Sequence, residues 1–150
     1  HGQPIFVVGC HFASKRDDQP LFGRFQPPAR PSEASRLEQA RLVHAFARDL
    51  LAADPSTKLL VIGDLNDAPG SATLEALKGS LLTNLVETLP EAEQYTYIFN
   101  GQSEAIDHIL VSPGLLAVAS EPDIVHGHAE LIGAPSDHDP VLARFELPSR

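Results

Sequence analysis

The chain has a single cysteine, Cys10, so no internal disulfide can hold it together. Cys10 lies in an apolar run, where a buried structural thiol is expected, and one thiol leaves the redox compartment undetermined. No apolar stretch approaches the roughly 18 residues that a membrane-spanning helix needs. No signal-peptide pattern opens the chain. It starts at HGQPIFVVG, almost inside a strand, as a piece cut from a longer protein would.

Positive charge is also scarce: 11 Lys and Arg stand against 20 Asp and Glu, a net charge of −9. That argues against a broad nucleic-acid-binding surface. The imbalance is local. Residues 1–60 hold eight basic and six acidic side chains, whereas residues 61–150 hold three and fourteen. A phosphate-handling site built from carboxylates and a divalent cation is acidic until its ion is counted.

Several chemical signatures are missing. There is no Walker A loop and no G-x-S-x-G nucleophile elbow. His126 and His128 form an H-x-H pair, but no third zinc ligand is near in sequence. A calcium loop started at Asp64 matches at Asp64, Asn66 and Glu75, then fails at Ala68 and Pro69, where a ligand and a Gly turn are required.

With 150 residues, 43% of them hydrophobic and 21% charged, the chain suits one domain with a real core. PIFVVGCHF (4–12) and KLLVIGD (58–64) read as buried strands. Residues 13–31 form a long loop with several prolines, of the kind that carries function. Residues 31–55 read as a helix, with Ser32 as N-cap, Glu33 in the first turn and an apolar stripe through Leu37, Ala40, Val43, Ala47 and Leu50. A short helix follows Ser71 and stops at Gly79. Residues 95–100 and 105–112 read as a hairpin joined by GQSE, PGLL as a turn, 117–125 as a strand, 126–137 as a loop and 139–147 as a last strand. The expected fold is α/β: a mixed, mostly antiparallel sheet with helices on one face.

Polar residues collect at strand ends, where α/β sheets place their ligands. His11 closes the first strand, and Asp64 and Asn66 close the second. Asp107 interrupts the apolar run AIDHILV. Alternation puts it on one face with Ile109 and Val111, while Ile106, His108 and Leu110 face the other way. A carboxylate on a buried face needs a partner: a histidine from elsewhere is the natural one, and bonds to its own loop are the alternative. Asp137, His138 and Asp139 precede the last strand.

VVGCHFASK, VIGDLND, YIFNGQSEAIDHILVS and APSDHDPVLARF, in this order, resemble the C-terminal half of the endonuclease/exonuclease/phosphatase superfamily, which includes pancreatic-type deoxyribonuclease. The likeness is greatest to bacterial, often secreted, nuclease-like members. It implies that residues 1–150 are one half of a four-layer α/β sandwich. The other half, N-terminal and bearing an Asn and the main metal-ligand Glu, is absent from this chain. It implies a hydrolase that uses Mg²⁺, with Mn²⁺ or Ca²⁺ as alternatives, on nucleic acid or another phosphoester. Asp64 resembles the carboxylate that orients or deprotonates the attacking water, and Asn66 the amide that holds that water or the phosphate. Asp137, with Asp64, resembles a ligand or close neighbour of the metal. His138 resembles the imidazole that bonds a phosphate oxygen, Asp107 its orienting partner, and His11 a second phosphate-contacting histidine. Cys10 stands where the family often has Asn. Arg16, Phe22, Arg24, Phe25 and Arg30 in the long loop are candidates for contacting a nucleic acid backbone and its bases. A phosphomonoesterase, a lipid phosphodiesterase and a non-catalytic binding module are the other readings.

Overall fold

The computed structural model describes residues 4–20 and 23–147. Phe22 lies outside them. Four strands form the main sheet: β1 (Ile5–His11), β2 (Lys58–Asp64), β6 (Asp107–Val111) and β3 (Thr83–Asn84), in the spatial order β1-β2-β6-β3. β1 and β2 are parallel, and helix α1 (Pro31–Ala53) makes the crossover that a parallel pair requires. β6 runs antiparallel to both β2 and β3. Two antiparallel pairs complete the strands: β4 (Tyr97–Phe99) with β5 (Gln102–Glu104), and β7 (Ala119–Ile124) with β8 (Val141–Phe145). The sheet is mixed and mostly antiparallel, as the sequence implies.

One face of the sheet packs under α1 and α2 (Ala72–Lys78). Leu59, Val61 and Leu110 from the strands meet Ala40, Ala47, Leu51, Leu74 and Leu77 from the helices, all buried. Burying a Leu of this kind contributes about 1.5–3 kcal/mol. On the opposite face Leu60, Ile62, Ile109 and Val111 meet Leu115 of the short helix α3 (Pro113–Leu116) and Val141, Ala143 and Phe145 of β8. The alternation read from AIDHILV is realised: Leu110 belongs to the first layer, Ile109 and Val111 to the second.

Three local expectations change. The 95–112 hairpin is two separate pairings. β4 turns back at Asn100 and Gly101, both with positive φ (51° and 77°), to pair with β5, and β6 leaves to join the main sheet. Two positive φ values in succession are what a tight hairpin needs, and Asn-Gly supplies them. PGLL is helical rather than a simple turn. Ser32 is not the cap of α1. Arg30 holds that position with no side-chain cap bond, and the Ser32 amide and hydroxyl both donate to the Asp18 carboxylate. Ser71 does cap α2, accepting from the Leu74 amide at 3.2 Å.

Candidate active site and metal centre

Strand register assembles the site. His11 is paired with Asp64 across β1–β2, and Asp64 with Asp107 across β2–β6. Paired residues point to the same side of a sheet, so the three side chains converge at one edge, beyond Ile62 and Ile109. Parallel β1 and β2 end there and antiparallel β6 begins there. His11 Nε2 lies 3.5 Å from Asp64 Oδ2, with the His11 ring largely exposed. Close approach of β1 to β2 depends on Gly63, whose φ is +134°; a Cβ there would collide with the Cys10 carbonyl oxygen.

His138 arrives from the loop before β8, docked by an isolated bridge to Tyr97. Its Nδ1 sits 2.7 Å from Asp107 Oδ2. The Tyr97 ring lies against the imidazole, with centroids 4.9 Å apart. Burial disfavours the His138 charge, but the Asp107 hydrogen bond and the negative charges of Asp107, Asp64 and Asp137 outweigh it and raise the pKa. Asp64 is also raised, chiefly by burial and further by repulsion from Asp107, against the stabilising Asn66 amide. The pair of shifts describes an imidazole whose cationic form is favoured, beside a carboxylate that holds its proton more tightly than usual.

Asn66 sits where the chain leaves β2. Its φ is 52°, a left-handed conformation that Asn tolerates better than most residues. Its amide N–H donates to Asp64 Oδ1 at 2.9 Å, and its Nδ2 donates to the Phe12 carbonyl at 3.1 Å. It therefore ties the end of β1 to the end of β2. Asp137 is exposed on its loop.

Ligand atoms of Asp64, Asp107 and His138 all lie within 4.8 Å of one another. Two carboxylates this close repel, and the raised Asp64 pKa registers part of that cost. Their oxygens suit a hard divalent cation such as Mg²⁺ or Ca²⁺. His138 is committed to Asp107 through Nδ1, which leaves the oxygens as the donors that fit such an ion. Asp137 falls outside this group of ligand atoms.

Two further residues build the site: Thr96, which was not singled out from the sequence, and Asp139, which the sequence places among the strand-end polar residues without a role. Thr96 is fully buried: its hydroxyl donates to Asp107 Oδ2 at 2.8 Å and accepts from the amides of Ile106 and Asp107, each at 3.1 Å. Asp139 is buried directly after His138. Its carboxylate accepts from the amides of His128 (2.7 Å) and Ala129 (2.9 Å) and meets His126 Nδ1 at 3.1 Å. Its own amide donates to the Thr96 carbonyl at 2.7 Å. Burial would raise the Asp139 pKa, but these donors lower it. Thr96 thus ties the Asp107 strand to the His138 loop. A polar residue flanked by aromatics in YTYIF was the available signal, though no spacing rule marks it. A cleft of about 450 Å³ opens beside the site, lined in part by Ile62, Asp107, Ile109, His128 and His138.

Comparison with known proteins bears on the fold and the family. No curated protein sequence matches the chain. Among solved structures, the 3′ phosphatase NExo from Neisseria, bound to a product DNA hairpin, superposes with a TM-score of 0.69 at 22% identity, covering 94% of this chain and 61% of that one. Truncated TDP2 from Caenorhabditis elegans gives 0.68 at 18% identity, covering 96% and 55%. A mannosyl-6-phosphatase from Bacteroides thetaiotaomicron gives 0.52 at 23%, covering 76% and 46%. The chain therefore spans little more than half the length of the first two. At these identities the likeness is one of fold. The model of the Endonuclease/Exonuclease/phosphatase family matches residues 2–138, a span that takes in the strand ends and the His138 loop. The chain belongs to the endonuclease/exonuclease/phosphatase family, whose members hydrolyse phosphoester bonds.

Proposed function

We propose that the chain is the C-terminal half of a divalent-metal-dependent phosphodiester hydrolase, a nuclease. The observation that carries this reading is the 2.7 Å contact of His138 Nδ1 with Asp107, beside the Asp64 carboxylate. With Nδ1–H held by Asp107, Nε2 is the imidazole donor left for a phosphoryl oxygen. A cationic donor aimed where negative charge develops is typically worth about 10²–10³ in rate. Asp64 accepts the proton of the attacking water, a task helped by a carboxylate whose pKa burial raises above its usual value. His11, exposed beside Asp64, contacts a second phosphate oxygen, and Asn66 holds the Asp64 loop against β1. Asp64, close to Asp107, would hold the cation, and Asp137, exposed on the loop outside that group of ligand atoms, would be a further ligand or near neighbour of it. When bound there, the ion supplies charge neutralisation at the phosphoryl and leaving oxygens.

The missing partner in this reading is an N-terminal half of the same domain. Ile5 and Val7, on the cleft-side face of β1, are 38% and 57% exposed, and β2 is the one strand paired with β1 among the described residues. Further chain covering that face and edge accounts for both. A nucleic acid substrate is favoured by Arg24, stacked 4.7 Å from the Phe25 ring centroid on the exposed long loop. Among the described residues, no helix is long and apolar enough to cross a membrane. The second reading is a phosphomonoesterase, favoured by the two phosphatases among the structural neighbours.

The test is cleavage of plasmid DNA with Mg²⁺ or Mn²⁺, by this chain and by a polypeptide that includes the upstream half. His138→Ala, EDTA and a sugar-phosphate substrate serve as controls. Nicking that disappears with EDTA and in His138→Ala supports the nuclease. Phosphate release from the monoester without nicking supports the second reading, and inactivity of the longer polypeptide on both rejects hydrolysis.

A further inference from the structure

α1 buries a cation where its apolar stripe should continue. Arg36 is fully buried, and the Asp18 and Asp67 carboxylates that face it are 6% and 4% exposed. Arg36 Nε donates to Asp67 Oδ2 and Nη2 to Asp18 Oδ2, both at 3.2 Å, while Nη1 donates to the Ser32 hydroxyl. Nη1 also donates to the Ala13 carbonyl at 3.2 Å. One turn along the helix, Gln39 Oε1 accepts from the Ala13 amide at 2.9 Å. The two side chains therefore hold both polar groups of one residue.

The positions held explain why polar residues are used. Ala13 lies two residues past His11 at the exit of β1. Asp67 lies three past Asp64 at the exit of β2, and its carboxylate is further fixed by the Thr73 hydroxyl at 2.8 Å. Between them the Phe12 amide donates to the Asp64 carbonyl at 2.9 Å, and Asn66 Nδ2 donates to the Phe12 carbonyl. Stability alone gives weak grounds for a buried ion group, since apolar replacements of similar volume are often as stable. A planar guanidinium does what an apolar side chain cannot: it sets the direction and separation of several acceptors together. Neither Arg36 nor Gln39 lines the cleft.

We infer that Arg36 and Gln39 are positioning residues, which fix the exit of β1 against the exit of β2 and so hold His11 in place relative to Asp64. The inference rests on the reading that His11 and Asp64 act on a phosphoester. Small displacements of reacting groups cost rate steeply, whereas groups that never touch substrate leave its binding alone.

Three variants of the full-length polypeptide test it. Gln39→Met removes the acceptor and keeps the length, Gln39→Glu keeps the acceptor, and Arg36→Lys keeps the charge without the fork. Gln39→Met and Arg36→Lys are expected to lower kcat by about 10-fold or more with KM changed by less than about twofold, and Gln39→Glu to recover most of the loss. Amide hydrogen exchange reads the same clamp without turnover. In Gln39→Met the Ala13 amide should exchange at least about 10-fold faster, while the sheet amides of Val61 and Leu110 keep their rates. Gln39→Met carries the test even where Arg36→Lys fails to fold. Unchanged kcat together with unchanged Ala13 exchange overturns the inference, as does a loss confined to KM or no recovery in Gln39→Glu. A wild-type protein that hydrolyses no phosphoester sinks the hydrolase reading instead, and Ala13 exchange still decides whether the clamp exists.

Discussion

Replacing Asp107 with Asn keeps the shape of the side chain and removes its charge. Asp107 Oδ2 holds His138 Nδ1 at 2.7 Å and the Thr96 hydroxyl at 2.8 Å, and Asp107 is half-buried. A hydrogen bond to a charged partner is worth about 1.5–3 kcal/mol, so loss of that support in the transition state lowers kcat by about 10- to 150-fold. The pH dependence is the sharper readout. Activity that needs cationic His138 falls as pH rises through its folded pKa, and Asp107 is the main group lifting that pKa against burial. In Asp107→Asn the basic limb of the kcat profile therefore moves to lower pH. The acid limb, set by Asp64, moves the same way by less, because burial rather than Asp107 is its main cause. Stability follows the same linkage. A histidine whose folded pKa is raised contributes stability fully present below its unfolded pKa of about 6.5 and lost as pH rises through the folded value. The variant should lose that pH-dependent part in urea melts. A variant within about threefold of wild type, with its basic limb unmoved, would refute the dyad.

Other outcomes follow from the same structure. Thr96→Val removes one donor to Asp107 and leaves the amides of Ile106 and Asp107 without their acceptor, so it should lower the urea midpoint by the equivalent of about 1–3 kcal/mol with an unchanged slope; a shift below the error of the melt would contradict this. Gly63→Ala puts a Cβ into the Cys10 carbonyl at a φ that L side chains rarely adopt, and is expected to abolish the folded near-UV CD signal; a folded, active Gly63→Ala protein would show that β1 can shift. His108 is buried, accepts at Nδ1 from Asn84 Nδ2 (3.1 Å) and donates from Nε2 to the Asp67 carbonyl (2.9 Å), and burial lowers its pKa. Stability from keeping it neutral is present above about pH 6.5 and is lost as pH falls toward its folded pKa, so His108→Gln should flatten the acid side of the stability curve. Identical acid sensitivity in the variant would assign the effect to other groups.

The sequence was most legible where a single strand determined the outcome. AIDHILV states its own alternation, and the structure splits Leu110 from Ile109 and Val111 accordingly. GDLND announced a strand ending in polar side chains, and register with β1 and β6 brings His11, Asp64 and Asp107 to one edge. What stayed hidden depended on partners far away in the chain. Arg36 falls on the apolar stripe of α1, but nothing local reveals that Asp18 and Asp67 enclose it from 18 and 31 positions away. Ser32 has the chemistry of a cap, but the same Asp18 draws it off. The hairpin was misplaced because the apolar run 105–112 competes with the Asn100-Gly101 turn. The turn chemistry prevails locally, while burial takes β6 into the main sheet.

The way His11, Asp64 and Asp107 are fixed has a consequence for how such a protein diversifies. Their mutual placement is written into backbone pairing, residue against residue, across three adjacent strands. Residues 23–28 and 130–135, in the loops that follow β1 and precede β8, take no part in that pairing or in the Arg36 and Asp139 contacts. They can lengthen, shorten or change composition with little strain on the pairing. On the proposed reading, recognition is thereby separable from reaction: a chain can acquire a different target by insertion in either loop while His11, Asp64 and Asp107 keep their pairing. Transplanting those two loops between relatives is accordingly a rational route to altered selectivity.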